Sequence, residues 1–221
     1  MIRSEIRDLI RKRLGETTSS FWSDTELNSW INDGCTDIAF RTKCIRSNAY
    51  FTTLLDTAEY VLSTIVPNLL SINEVYFKTN NLTWDKLPAT SRTELDILSP
   101  GWQSAASGVP YQYYYNREED VFGLYVKPNS TNAIANGCRV YYTKAHIDLT
   151  TDGSAPQLPE YVQAAICDFV AAYGYEQRGW GDKANDAWAK YFQKLHDYQV
   201  ERNRETEDED LVMKPERNIW H

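Results

Sequence analysis

The sequence predicts an α+β fold: a helical bundle, made of an N-terminal helix pair and two C-terminal helices, with a small antiparallel β domain inserted between the pairs and an extended C-terminal tail. Three observations predict it. Apolar residues recur at helical spacing over 2–42 and again over 160–198. From Asn48 to about Thr151 the pattern changes to alternation and β-formers. After Asn203 it ends in an acidic run. The expected divisions are 1–47 for the helical hairpin, 48–157 for the β domain, 158–203 for the helices completing the bundle and 204–221 for the tail.

The first helix spans residues 2–14, with Ile2, Ile6, Leu9, Ile10 and Leu14 on one face and Gly15 as a natural stop. The stretch "FWSDTELNSWINDG" specifies the second. Ser23 and Glu26 have the spacing of a capping box, and Trp22 and Leu27 that of a hydrophobic staple. Asp24 and Glu26 place negative charge at the positive helix end. A helix over Asp24–Thr42 is expected, with Leu27, Trp30, Ile31 and Ile38 on one face.

Strands are predicted at 58–64, 72–78, 111–115, 121–126 and 138–144, making one sheet of five or six strands. "PNLLS" and "NREED" read as turns, "KPNSTNAIANG" as a longer loop and "LSPGWQSAASGVP" as an exposed one. Alternation places Tyr111, Tyr113 and Tyr115 on one face, expected to pack on the helices. Pro159 opens a helix over 160–177 that is apolar almost all round. Asp182 is expected to cap a last helix over 183–203, whose stripe is Ala184, Ala187, Trp188, Tyr191, Phe192, Leu195 and Tyr198.

At 221 residues the chain suits one domain with appendages. Its net charge of −8 argues against a dedicated nucleic-acid binder, which relies on Lys and Arg at phosphates. The charge is uneven: residues 1–14 are basic, and residues 205–210 hold five acids and no base. Cys35, Cys44, Cys138 and Cys167 form no C-x-x-C pair and read as free structural thiols, as in a reducing cytoplasm. Neither a signal peptide nor a membrane span is evident. The tail carries two apolar islands, Leu211, Val212 and Met213, then Ile219 and Trp220, which suit docking on a partner.

No catalytic or metal-binding constellation emerges. There is no P-loop, G-x-G-x-x-G or G-x-S-x-G. His146, His196 and His221 are isolated, and His146 beside Asp148 reads as a polar contact at a strand end. Glu118, Glu119 and Asp120 crowd one turn, unlike a separated acid pair. No enzyme activity and no cofactor are expected.

The order of parts resembles that of bacteriophage head–tail connector proteins of the adaptor type. Four stretches carry the resemblance: "WSDTELNSWINDGCTDIAFRT" (22–42), "ELDILSPGWQSAASGVPYQYYY" (94–115), "LYVKPNS" with "CRVYYTKAHIDL" (within 124–149), and "LPEYVQAAICDFVAAYGYEQRG" (158–179) with the helix after it. The resemblance implies a structural adaptor in the virion neck, made in the host cytoplasm. It implies a dodecameric ring docked on the portal protein, with DNA passing through the lumen without specific binding. A tail, nozzle or fibre protein would meet the other face. Ring contacts would fall on helices bearing Trp22, Leu27, Trp30, Trp188 and Tyr191. The portal hook would be Leu211, Val212, Met213, Pro215, Ile219 and Trp220, and Trp102, Tyr111 and Tyr113 would meet the tail or fibre. An acidic lumen suits DNA passage because like charge disfavours sticking. The alternative is a β-domain binding module that uses the Tyr-rich face for glycan or fibre attachment.

Overall fold

The computed structural model describes residues 1–16 and 21–212, with side chains described as far as Arg204. Its helices are α1 (Arg3–Leu14), α2 (Asp24–Thr42), α3 (Leu62–Ile65), α4 (Arg92–Leu98), α5 (Glu160–Gln177) and α6 (Gly181–Val212). Its strands are β1 (Arg46–Phe51), β2 (Glu59–Val61), β3 (Leu69–Thr79), β4 (Thr83–Leu87), β5 (Gln112–Asn116), β6 (Val121–Tyr125) and β7 (Cys138–Lys144). These elements form two compact units. One joins Met1–Cys44 to the chain from His146 onward, and the other is Ile45–Ala145.

The helical unit is fixed by its caps and by ion pairs. At the start of α2, Glu26 N–H donates to Ser23 Oγ at 3.2 Å, and Ser23 N–H donates to Glu26 Oε2 at 2.8 Å, completing the capping box. These bonds to Ser23 hold the Glu26 carboxyl below its usual range. Trp22 and Leu27 on either side of the cap are both buried. α1 ends at Gly15, whose φ of 75° lies in the left-handed region.

The arginines of α1 face carboxylates within the same unit. Arg3 and Arg7 both donate to Asp152, at 2.9 and 3.1 Å. Arg11 is buried and donates to Glu16 at 3.0 Å, to Asp24 at 2.5 Å and to the Trp22 carbonyl at 3.1 Å. Glu16 is 4% exposed; it also accepts from Phe21 N–H at 2.9 Å and from Arg178 at 3.3 Å. One buried carboxylate therefore ties α1, the approach to α2 and the end of α5 together. Asp168, 4% exposed on α5, accepts from Arg13 of α1 and Lys194 of α6.

α5 is buried nearly all round, as its composition predicts. α6 starts at Gly181, with Ala184 N–H donating to the Trp180 carbonyl at 3.0 Å, so Asp182 lies inside the first turn and not at the cap. Its stripe divides: Ala184, Ala187, Tyr191, Leu195 and Tyr198 are buried, Trp188 is half-buried and Phe192 is exposed. α6 also closes the end of α2. The Tyr191 hydroxyl bonds Asp37, Gln199 donates to the Arg41 carbonyl at 3.1 Å, and Arg202 donates to the Thr42 carbonyl. The last carbonyls of a helix have no partner inside it, so Gln199 and Arg202 satisfy groups otherwise left bare. The helix continues to Val212, through the acidic run expected to belong to an extended tail from residue 204. Between Gly181 and Pro215 there is neither Gly nor Pro to stop it. Met213, Pro215, Ile219 and Trp220 lie outside the described residues.

The β unit differs from the single sheet expected. It has a four-stranded sheet in the order β1-β7-β3-β4 and a three-stranded sheet in the order β2-β6-β5, with all strand pairs antiparallel. Residues 58–64 are a strand only over Glu59–Val61. There Ser63 N–H and Oγ bond Asp120 at 2.7 and 2.6 Å, and the chain turns into α3. One core joins Phe51, Val75, Phe77, Val140 and Tyr142 of the larger sheet to Tyr113, Phe122 and Leu124 of the smaller. A second cluster, Leu95, Trp102 and Tyr114, brings in α4 and the 3-10 turn at Trp102–Ser104. Tyr114 pairs across the strands with Gly123, and a Cβ on Gly123 would lie 2.0 Å from Tyr114 Cζ. The glycine is the space the ring occupies.

Glu16→Ala leaves Arg11 and Arg178 short of their shared buried carboxylate, and urea denaturation is expected to show a loss of about 3–5 kcal/mol. Ser23→Ala removes one cap and is expected to cost only about 1 kcal/mol by the same measurement.

Candidate functional site

No group of three or more His, Cys, Asp or Glu side chains is placed to hold a metal among the described residues. His146 is buried, and neither ring nitrogen has a hydrogen-bond partner, so it is not the polar contact its neighbour Asp148 leads one to expect. Burial pushes the imidazole below its ordinary value, against the opposing pull of Asp148. Burial also pushes the Cys35 thiol up to about 12 and raises Cys138 and Cys167, so these groups behave as small apolar residues and not as nucleophiles. Among the described residues, no helix is long and apolar enough to cross a membrane.

What the helical unit offers is an aromatic surface. Trp30 of α2 stacks on Tyr173 of α5, with ring centroids 6.3 Å apart. Tyr173 meets Trp188 of α6 edge-on at 5.4 Å, and Trp188 stacks on Phe192 at 6.0 Å. Arg41 lies over Phe192 at 5.5 Å. Phe192 is 47% exposed and Tyr173 39%, while Trp30 and Trp188 are half-buried. Trp188 Nε1 donates to Glu176 at 2.7 Å, which fixes its ring.

The residues expected to mark the ring-contact helices divide between core and surface. Trp22, Leu27 and Tyr191 are each at most 1% exposed and belong to the unit's own core. Trp22 lies beneath Arg178, 4.3 Å from its ring, and donates to Gln177 at 3.0 Å. Trp30 and Trp188 remain on the surface, joined by Tyr173 and Phe192. The i,i+4 spacing of Trp188 and Phe192 in the sequence was the signal for that pair.

On the β unit the expected row of tyrosines is broken. Tyr113 is enclosed between the sheets of its own unit, where it stacks on Phe122 at 5.9 Å. Trp102 is buried edge-on to Tyr114 and Tyr125, and its Nε1 donates to Asp96 at 2.8 Å. Tyr111 precedes β5 and is half-exposed, packed on Tyr125. A different tyrosine face is open, the outer side of the four-stranded sheet. There Arg139 lies 4.3 Å from the Tyr141 ring and 5.2 Å from Tyr50, with Tyr76 and Trp84 beside them. Two of these rings come from β1 and β4, strands not predicted. The turn between β3 and β4 was the available signal: Asn80 and Asn81 both have positive φ, as a type I′ turn requires.

The profile of the SU10 adaptor protein family matches residues 1–213. The chain belongs to this family. Membership agrees with the connector-adaptor resemblance carried by residues 22–42, 94–115, 124–149 and 158–179. No curated protein matches significantly in sequence. Among solved structures, the neck of an empty GTA particle computed with C6 symmetry is similar at 12% identity and a TM-score of 0.30, over 78% of this chain and 77% of that one. That likeness is too loose to bear on the role of any residue. The aromatic face of the helical unit and the tyrosine–arginine face of the four-stranded sheet are two surfaces with rings held in fixed geometry.

The buried His146 gives a pH dependence. In the folded chain the imidazole resists protonation; unfolded, it protonates near its ordinary 6.5. The unfolded state therefore takes up the proton first as pH falls. Stability is expected to decline on acidification below that value, with the decline levelling off once pH passes the lower folded value. Urea midpoints measured across this range should fall for the native chain and fall less for His146→Leu.

Proposed function

We propose that this chain is the structural head-to-tail adaptor of a phage virion. It forms a ring beneath the portal, continues the DNA channel and provides the docking surface for the tail, nozzle or fibre protein. The observation that carries this reading is the family match over residues 1–213. The aromatic face of α2, α5 and α6 supports it physically, because exposed Trp, Tyr and Phe held in fixed geometry are what a protein contact uses. A cyclic ring joins two different surfaces of the same subunit, and this face serves as one of them. The ring is dodecameric, as the resemblance implies. Its role is structural and non-catalytic, and DNA passes without specific binding, in keeping with the charge of −8.

The tail supplies the portal contact through Leu211, Val212, Met213, Pro215, Ile219 and Trp220. Many weak hooks on one ring reinforce one another by avidity. Of the residues expected to meet the tail or fibre, Tyr111 remains a surface group. The open tyrosine–arginine face of the four-stranded sheet favours a second reading, in which the β unit binds a glycan or fibre through Tyr50, Tyr141 and Trp84.

Negative-stain imaging and mass measurement of the purified protein, with and without portal particles, test the first reading. A ring, or an added layer on the portal, is expected; a monomer that ignores the portal would favour the glycan module. Removing residues 214–221 is expected to leave a folded chain that no longer docks on the portal in co-sedimentation. Phe192→Glu, at an exposed position, is expected to keep the circular dichroism of the native chain and to weaken ring formation about tenfold or more, as loss of an interface anchor does.

A further inference from the structure

The helical unit carries a cavity of about 390 Å³ whose charge is opposite to that of the chain as a whole. Its lining includes four cations, Arg13, Lys183, Lys190 and Lys194, against two carboxylates, Asp168 and Asp186. Asp168 is buried and already bridges Arg13 and Lys194, so it holds those two cations in place at the wall and leaves little charge of its own to offer. Lys183 lies over the Trp180 ring at 4.4 Å. Lys190 is exposed and has no hydrogen bond or ion pair to any described residue. Cations packed this closely repel one another unless an anion joins them.

We propose that this cavity is an acceptor for the acidic end of α6 from a neighbouring copy of the same chain. Charge complementarity identifies the occupant. Residues 205–210, "ETEDED", hold five acids and no base, while the rest of the chain has no comparable run. The run cannot fill the cavity of its own copy. α6 both lines the cavity with Lys183, Lys190 and Lys194 and carries the acids towards its other end. At 1.5 Å of rise per residue, Glu205 lies about 22 Å and Asp210 about 30 Å along the axis from Lys190. A helix does not fold back on its own side, so the contact is made between copies. It joins two different surfaces, cavity and helix end, and is therefore of the head-to-tail kind that closes into a ring. It leaves residues beyond Val212 free to reach another partner. This assignment rests on the ring reading of the proposed function.

A charge exchange in the full-length chain tests it. Lys183→Glu with Lys190→Glu reverses the two cavity lysines that do not pair with Asp168, while Arg13 and Lys194 are left to neutralise it. Glu207→Lys with Glu209→Lys reverses the acidic run. Circular dichroism and urea midpoints confirm that each variant folds. Subunit association is read by native mass spectrometry and sedimentation, free and on portal particles. Each pair alone is expected to weaken association about tenfold or more, the order of loss for interfacial charge pairs. All four changes in one chain are expected to restore it. Carbodiimide coupling of mixed light and heavy-isotope chains is expected to join Lys190 to Glu207 or Glu209 of a different copy.

Unchanged association in either pair, or no recovery in the combined chain, overturns the assignment. So does loss of portal binding with intact self-association, which would place an acidic portal segment in the cavity. Rings formed by every variant would leave the adaptor reading standing and remove only this contact. A native chain that forms no ring, free or on the portal, would remove both.

Discussion

The helical unit depends on giving every arginine of α1 a carboxylate. Ile6, Ile10 and Leu14 bury one face of that helix, and the burial draws Arg3, Arg7 and Arg11 largely out of water, while Arg13 stays exposed and reaches the buried Asp168. A guanidinium held out of water and unpaired is strongly unfavourable. Four acids from elsewhere in the unit meet this need: Asp152, Glu16, Asp24 and Asp168. They come from the segment before α5, the α1–α2 connection, the first turn of α2 and the middle of α5. Satisfying one short helix therefore fixes the placement of most of the unit. Such pairs contribute specificity of arrangement more than net stability, since replacing buried ions by apolar groups is often neutral.

The same constraint shapes the surface. The basic N-terminal stretch looks, in sequence, like a patch for an acidic partner, but its arginines have internal partners. Three of the four cations at the helical unit's cavity, Lys183, Lys190 and Lys194, come from α6, around an acid that Arg13 of α1 helps to neutralise. Aromatic residues divide in a parallel way. Trp22 and Tyr191 find hydrogen bonds inside the core through Gln177 and Asp37, while Trp30, Trp188 and Phe192 remain at the rim of the same helices. Trp22 and Tyr191 each have a polar tip that meets a partner, as buried Trp and Tyr require.

Local signals made α2 and α5 legible to the residue. A capping box sets the start of one and Pro159 that of the other, and both are read within a few positions of sequence. β7 was legible for the same reason, as a run of alternating β-formers bounded by Gly137. β1 and β4 were not, because as outer strands of the larger sheet they expose half or more of their residues and carry little apolar patterning. The division into two sheets depends on which strands bury which face, a fact of tertiary packing. For the candidate site, helical spacing identified the helices that carry the aromatic surface but not which of their aromatics stay exposed. Trp22, Leu27 and Trp30 all lie near one helix start, and only the packing of α1 and α5 decides which of them stays outside. The cavity was illegible because its wall joins positions as distant as Arg13 and Lys194.

The pairing of β1 with β7 has a consequence for the entropic cost of joining the helix pairs. Arg46 lies opposite Thr143, and Lys144 N–H donates to the Ile45 carbonyl at 3.0 Å, so the β unit begins and ends at one place. To the helices on either side, everything from β1 to β7 is a single loop whose ends must lie together wherever α2 meets α5 and α6. Closing so long a loop from a disordered chain carries an entropic penalty. Once β1 and β7 are paired, the penalty has already been met by the sheet's own contacts, and the helix pairs join as though separated by a short turn. The β unit thereby acts as a folding clasp for the bundle, and its interior can lengthen or shorten without changing what the helices experience, provided that the two edge-to-edge strands at its base remain.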